Sequence, residues 1–272
     1  MKKFFMCAMA AVAMLSVSSC LSEEELNLTR SEKTGTINVK ISTDNALVTR
    51  TTQNVADPTA WFAFIDGTSK DFGSAETHAS ISGLSAETFP FGNYNVTVSN
   101  FANEAAAYEV NTGFGAAYYE GTAASQKVEA GKNTSVEIAC GKAQNAKFNI
   151  EYSGFEGTDA VDGGLYFVSV VAVNAATTRS LTFTSANKTT DAFFIKDETV
   201  SYTVNWKYNG TAKSATGTIT MAGRGTANKL SISSNANGTI TIAATTGITY
   251  EDDYNAGNTS TVTVSAETGE KL

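Results

Sequence analysis

The sequence predicts an all-β protein: two tandem β-sandwich domains behind an export leader. Three observations carry this reading. From Thr36 onward, apolar residues alternate with polar ones at a period of two, as half-buried strands require. The 272 residues include only 2 prolines, and turn pairs such as Asp66-Gly67, Asn209-Gly210 and Asn237-Gly238 separate the alternating runs. Helical periodicity is confined to one short stretch, Ala102–Tyr108.

In chain order, Ile37, Val39 and Ile41 make the first strand. Trp61-Phe62-Ala63-Phe64-Ile65 is denser and reads as a central strand covered on both faces, ended by the turn Asp66-Gly67. Pro90-Phe91-Gly92-Asn93 turns into a strand whose Tyr94, Val96 and Val98 share one face. Val128, then Val136 and Ile138, flank a Gly131-Lys132-Asn133 turn and predict a hairpin closing the first half. In the second half Phe148, Ile150 and Tyr152 alternate, and Leu165–Val173 is the most apolar strand of the body. Leu181 with Phe183, then Phe193-Phe194-Ile195, follow. Val200, Tyr202, Val204 and Trp206 lead into Asn209-Gly210, a pair suited to a type I′ hairpin turn. Leu230 and Ile232, then Ile240 and Ile242, flank Asn237-Gly238, and Val262 with Val264 forms a last strand. A boundary near Cys140-Gly141-Lys142 gives domains over residues 35–142 and 143–272, each of ordinary size for a sandwich.

The leader explains the first 34 residues. Lys2 and Lys3 are a charged start, and Phe4 to Val17 is an apolar run with the length of a signal core, too short to span a bilayer as a mature helix. Val17-Ser18-Ser19-Cys20 resembles the bacterial lipobox. The resemblance implies cleavage between Ser19 and Cys20, so that 1–19 is a lipoprotein signal peptide and Cys20 is acylated. Several acyl chains on one residue make a durable membrane anchor, where one chain binds only marginally. Ser22-Glu23-Glu24-Glu25 resembles the surface-export signal of Bacteroidetes lipoproteins, which points to the outer membrane with the chain facing outward. Residues 20–34 then form a flexible acidic tether. The plainer alternatives are ordinary secretion with Cys20 incidental, and an acidic run that only solvates the tether.

Composition excludes several function classes. The formal charge is −8, and loss of Lys2 and Lys3 with the signal takes it to −10. Such acidity opposes nucleic acid and anionic lipid headgroups. The only histidine is His78, in the polar loop Asp71–Ser80, so neither a histidine zinc site nor a Ser-His-Asp triad has supporting context. Cys140, the one cysteine of the body, ends an alternating strand and reads as a buried small hydrophobe. Glu251-Asp252-Asp253 is the best acidic cluster. It lacks the alternating ligand ladder of a calcium loop and reads as solvated, with weak calcium binding as the sharper alternative. No metal or cofactor is expected. Trp61 and Trp206 sit in alternating strands and Tyr118-Tyr119 beside a loop, so packing is favoured over a glycan platform at all three.

Several of these segments together resemble a family. Gly35-Thr36-Ile37-Asn38-Val39 with Thr49-Arg50 resembles the opening of Bacteroidetes fimbrillin-like proteins, and Pro90 to Val98 resembles their Gly-x-Tyr-x-Val strand. Ala117-Tyr118-Tyr119-Glu120-Gly121, the Gly131 turn, the strand into Cys140, Ala222-Gly223 and Lys229 to Ile232 are similar to domain-of-unknown-function family 4493. The resemblance covers roughly residues 35–265. It implies transthyretin-like or immunoglobulin-like β-sandwich domains and no agreed activity. The fimbrillin relatives build or cap surface pili, some after trypsin-like cleavage behind an arginine, which makes Arg50 a candidate processing site; a surface arginine at a strand end is the plainer reading.

The expected function is therefore a non-enzymatic, lipid-anchored surface protein of adhesin or pilus-accessory type. It would join fimbrial subunits by strand addition, or bind host or glycan surfaces. The alternative is a glycan-capture lipoprotein of an outer-membrane uptake system, which needs exposed aromatic side chains.

Overall fold

The structure is a computed structural model that describes residues 34–42, 61–67, 76–78, 87–155, 164–174, 176–235, 237–249 and 258–272. Among these residues there are sixteen strands, one short α-helix and one 3-10 turn, and the fold is an all-β sandwich. The described chain divides into two compact units. The first takes the described residues of 34–42, 61–98 and 121–139, and the second those of 99–120 and 140–272.

The first unit holds β1 (Thr34–Ser42), β2 (Phe62–Gly67), β3 (Glu76–His78), β4 (Phe89–Pro90), β5 (Gly92–Ser99), β6 (Glu120–Val128) and β7 (Asn133–Ala139). They form two sheets, ordered β4-β1-β7 and β3-β2-β5-β6. Alternation fills the core: Ile37 and Val39 of β1 and Val136 and Ile138 of β7 are buried, as are Trp61, Ala63, Ile65, Tyr94, Val96 and Val98. The Phe89 and Tyr94 rings meet edge to face at 5.9 Å, and the Tyr94 hydroxyl donates to the Pro90 carbonyl at 2.7 Å, fixing the corner into β5.

Two expectations need correction here. The Gly131 turn does not close a hairpin: β6 and β7 lie in different sheets, and β7 runs parallel to β1, from Thr36 beside Asn133 to Ser42 beside Ala139. A tight turn can join two sheets as well as two neighbours, and alternation alone does not tell these apart. Asp66-Gly67 are the last two residues of β2, but the strand is not covered on both faces: one face is buried while Phe62 and Phe64 on the other are half-buried.

The second unit holds α1 (Glu104–Glu109) and nine strands: β8 (Ala146–Ser153), β9 (Leu165–Asn174), β10 (Ser180–Phe183), β11 (Ala192–Phe194), β12 (Thr199–Tyr208), β13 (Thr211–Thr220), β14 (Thr226–Ser234), β15 (Thr239–Thr249) and β16 (Asn258–Ser265). Its sheets are ordered β10-β9-β12-β13 and β11-β8-β14-β15-β16. Phe148, Ile150, Leu230, Ile232, Ile240, Ile242 and Val264 of the larger sheet share one core with Phe167, Leu181, Phe183, Val200, Val204, Trp206 and Ile219 of the smaller. Burying each such large side chain contributes about 1.5–3 kcal/mol. Asn209 (φ 48°) and Gly210 (φ 75°) make the expected left-handed hairpin turn between β12 and β13. Gly217 lies opposite Tyr202 in that hairpin, and a Cβ on it would stand 2.3 Å from the Tyr202 hydroxyl, so the ring takes the place of the missing side chain.

The two units share one topology. Adding seven to the strand numbers of the first unit gives β11-β8-β14 and β10-β9-β12-β13, the strand order of the second. Pairing sense agrees as well: β1 with β7 and β8 with β14 are parallel, while β1 with β4 and β8 with β11 are antiparallel. Two features break the correspondence. The second unit adds β15 and β16 beside β14. The β12–β13 connection is the two-residue Asn209-Gly210 turn, whereas β5 and β6 are joined by a long excursion, Asn100–Tyr119, that belongs to the second unit.

Candidate functional site

Of the residues singled out in the sequence, Ser19, Cys20, Arg50 and Glu251-Asp252-Asp253 lie outside the described residues. His78 is on a strand and not in a loop, its backbone paired with Ala63. Trp61 and Trp206 are fully buried and Tyr118 is nearly so. The Trp206 indole N–H donates to the Ala266 carbonyl at 2.8 Å, which satisfies it inside the core. The aromatic platform that glycan capture needs is therefore not formed by these three side chains. Cys140 is buried, and burial, with the Glu120 charge adding to it, pushes its thiol up to about 12, so it is no nucleophile near neutral pH. Among the described residues no group of three or more His, Cys, Asp or Glu is placed to hold a metal ion.

The densest polar cluster belongs to the excursion between β5 and β6. Asn103 caps α1 by accepting from the Ala106 N–H at 2.9 Å, and Glu104 sits in its first turn. Asn100 closes the base: its side chain donates to the Ala117 carbonyl at 2.8 Å and accepts from the Tyr119 N–H at 2.8 Å. The fully buried Asn145 accepts from the Tyr118 N–H at 3.1 Å and donates to the Ala116 carbonyl at 2.9 Å. Arg179 reaches across with its guanidinium. It donates to the Gly113 carbonyl from Nε at 3.1 Å and again from Nη2, and to the Phe193 carbonyl from Nη1. It also lies 5.0 Å from the centres of the Tyr108 and Phe194 rings. Burial lowers its pKa.

Tyr108 donates to Glu104 at 2.7 Å and Tyr118 to Glu120 at 2.6 Å. Both phenols are raised, by burial first and by the bonded carboxylate second. Neutral phenols bonded to carboxylates, amides bonded to backbone, and a guanidinium on two carbonyls offer neither a nucleophile nor a free base. The cluster fastens the excursion along β11, where the Phe193 N–H donates to the Phe114 carbonyl at 2.9 Å.

That fastening bears on the sheet edges, the other surfaces with unspent chemistry. Among the described residues β3, β4, β6, β7, β10, β11, β13 and β16 end sheets. Exposed edges invite pairing with other chains, and short strands or charges blunt them. Four of these edges, β3, β4, β10 and β11, have two to four residues. β6 carries Glu120 and Lys127, β7 carries Glu137, and β13 carries Lys213. β16 differs, with eight residues, Asn-Thr-Ser-Thr-Val-Thr-Val-Ser, and neither charge nor proline.

Its backbone polarity follows from three bonds. The Ala266 N–H donates to the Gly238 carbonyl, on the β15 side, at 2.7 Å. On the outer side, the Ser265 N–H donates to the Glu270 carbonyl at 2.9 Å, and the Leu272 N–H to the Thr263 carbonyl at 2.9 Å. Even-numbered residues therefore face β15 and odd-numbered ones face outward. The tail covers Thr263 and Ser265. Thr259 and Thr261 present N–H and C=O outward with no backbone partner among the described residues, and Asn258 to Thr261 are all exposed. Val262 and Val264 mark this strand in the sequence. The signal for the open edge was the uncharged run before them.

No family model matches the chain, and no curated protein matches it by sequence. Solved structures similar to it include a fimbrial assembly protein from Parabacteroides distasonis, 10% identical over 74% of this chain and 90% of that one, with a TM-score of 0.40. A provisionally assigned cell adhesion protein from Bacteroides fragilis is 13% identical over 80% of this chain and 97% of that one, with a TM-score of 0.37. Another such protein, from Bacteroides ovatus, is 10% identical over 74% of this chain and 91% of that one, with a TM-score of 0.33. The all-β assignment stands on the sheets themselves. Among the described residues no helix is long and apolar enough to cross a membrane.

Proposed function

We propose that this chain is a lipid-anchored, surface-exposed, non-enzymatic protein of adhesion or fimbrial-accessory type, which joins its partner by strand addition. The observation that carries the reading is the β16 edge: exposed at Asn258 to Thr261, uncharged, and with outward backbone groups at Thr259 and Thr261. Main-chain hydrogen bonds to such an edge supply affinity without a pocket. The leader supports the address: acyl chains on Cys20, after cleavage behind Ser19, would hold the body at the outer membrane, with Ser22-Glu23-Glu24-Glu25 directing it outward. The resemblance to family 4493 and the fimbrillin-like proteins agrees with a body that presents surface and performs no chemistry. Processing at Arg50 fits the same reading.

The test is made in the native host. Metabolic labelling with an alkyne fatty acid is expected to mark the wild-type chain and not Cys20→Ser. Thr261→Lys, which places a charge on the open edge, is expected to abolish capture of the partner while leaving the fold intact by circular dichroism. An unlabelled wild-type chain would remove the anchor. Partner capture unaffected by Thr261→Lys would remove strand addition at β16.

A further inference from the structure

From the polarity of the β16 edge we infer that its partner is a second copy of the same strand, paired antiparallel about a two-fold axis through Ser260. The inference rests on the strand-addition reading and names the occupant.

Among the described residues four outward groups have no backbone partner: the N–H and C=O of Thr259 and of Thr261. In an antiparallel ladder, two residues directly opposite each other either exchange both hydrogen bonds or neither. Placing Thr259 opposite Thr261 of a second copy, and Thr261 opposite its Thr259, lets the four groups of each copy meet the four of the other. No group is left over and none is borrowed from beyond the strand.

The neighbouring contacts limit the register. A slip of two residues toward the C-terminus would put Thr259 opposite Thr263, whose carbonyl already accepts from Leu272. The strand therefore offers a short, self-complementary segment bounded on one side by its own tail. An isologous contact of this kind closes at two copies, so it makes a dimer and not a fibre.

The paired segment is itself free of charge, although the acidic run Glu251-Asp252-Asp253 precedes it in the sequence. The chain is strongly acidic, so two copies repel wherever acidic surfaces meet. β16 carries no charge, and β15 beside it, Thr239–Thr249, carries none either. The outer face there is a threonine array, in which Thr245 and Thr259 are hydrogen-bonded through their hydroxyls at 3.1 Å. Pairing would extend this array with Thr259 and Thr261 of the partner strand. The contact is small, so association is expected to be weak in solution and to depend on concentration, which a shared membrane raises.

The geometry supplies its own probe. Ser260 lies opposite itself across the axis, flanked by bonded pairs, so the two Cα atoms approach to about 4.5 Å. That suits a disulfide. Asn258 of each copy lies opposite Val262 of the other, so two Asn258 positions are about 13 Å apart along the strand and cannot be bridged. The full-length chain carrying Ser260→Cys, expressed in its own host and treated with a mild oxidant, is expected to form a disulfide-linked dimer. Asn258→Cys is expected to form at least about ten-fold less, because only the first position meets the distance requirement. Cys140 adds no background, being buried.

Adding Thr261→Pro to Ser260→Cys is expected to abolish the dimer without unfolding the chain. The Thr261 N–H points away from β15, and proline is tolerated on the solvent side of an edge strand. Equal crosslinking at positions 258 and 260, no crosslinking at either, or dimer that persists with Thr261→Pro would overturn the self-pairing. If Ser260→Cys instead links to a different polypeptide, self-pairing fails while strand addition at β16 stands. If it links to nothing and Thr261→Lys also leaves partner capture intact, both fail.

Discussion

Replacing Arg179 by methionine removes the guanidinium and keeps most of the stem. The structure sets the size of the loss. Three donations end on two carbonyls, Gly113 and Phe193. A hydrogen bond from a charged donor contributes about 1.5–3 kcal/mol by deletion. Counting one per carbonyl gives about 3–6 kcal/mol gross. The two ring contacts at 5.0 Å add about 0.5–1 kcal/mol each at partly exposed sites. Against this stands the cost of holding a half-buried cation to which no carboxylate among the described residues is bonded; its burial lowers its pKa. Water will also refill part of the Gly113 site. The net loss expected is about 2–4 kcal/mol, confined to the excursion. Native-state amide exchange reads it locally, through the Phe193 N–H on the Phe114 carbonyl and the Ala116 N–H on the Ala107 carbonyl. Both should exchange about 30- to 900-fold faster, while β14 and β15 stay protected. Unchanged exchange at Phe193 and Ala116 would show that Arg179 fastens nothing. Equal acceleration in β14 and β15 would show that its effect is global, and either outcome refutes the reasoning.

Other expectations follow from single contacts. Gly217→Ala forces a methyl into the Tyr202 ring and should cost about 1–3 kcal/mol in denaturant melts of the second unit, rescued in part by Tyr202→Phe, which removes the nearest atom. Asn145→Ala orphans the Tyr118 N–H and the Ala116 carbonyl and should cost about 2 kcal/mol, with protease nicking appearing within residues 99–120. Cys140 gives a pH dependence with a definite sign. Its folded thiol titrates near 12 and its unfolded thiol near about 8.5, so the native state holds the extra proton between them. The associated stability is present below about pH 8.5 and is lost as pH rises toward 12, as urea midpoints at rising pH should show against a Cys140→Ala control. Thiol reagents should label Cys140 in the wild-type chain only after denaturation.

Much of the fold was legible because burial writes itself as alternation. Phe148-Ile150-Tyr152, Val200-Tyr202-Val204-Trp206 and Ile240-Ile242 each declare a strand and its inner face. β13 was not legible: Thr211–Thr220 buries only Ala215 and Ile219, with Gly217 beneath a tyrosine contributed by β12. The parallel pairing of β1 with β7 was hidden because their alternation is indifferent to which strand lies alongside, and the Gly131 turn looked like a hairpin turn. Repetition of topology left only faint traces, such as Ala130-Gly131-Lys132 before β7 and Ala222-Gly223-Arg224 before β14. Arg179 and Asn145 escaped because their partners are backbone groups 66 and 29 residues away, to which no local pattern points. The open edge at Thr259 and Thr261 depends on where the tail bonds, which side-chain chemistry does not encode.

The most direct measurement is surface display in intact cells. An epitope placed in the Asn209-Gly210 turn lies in an exposed hairpin connection of the second unit, where nothing stands within 4 Å of a Cβ built on Gly210. Antibody should reach it on unpermeabilised cells carrying the wild-type leader, and the signal should leave the cells with Cys20→Ser. Access only after the outer membrane is opened, or retention of the Cys20→Ser chain at the surface, would contradict an anchored body that presents its edge outward.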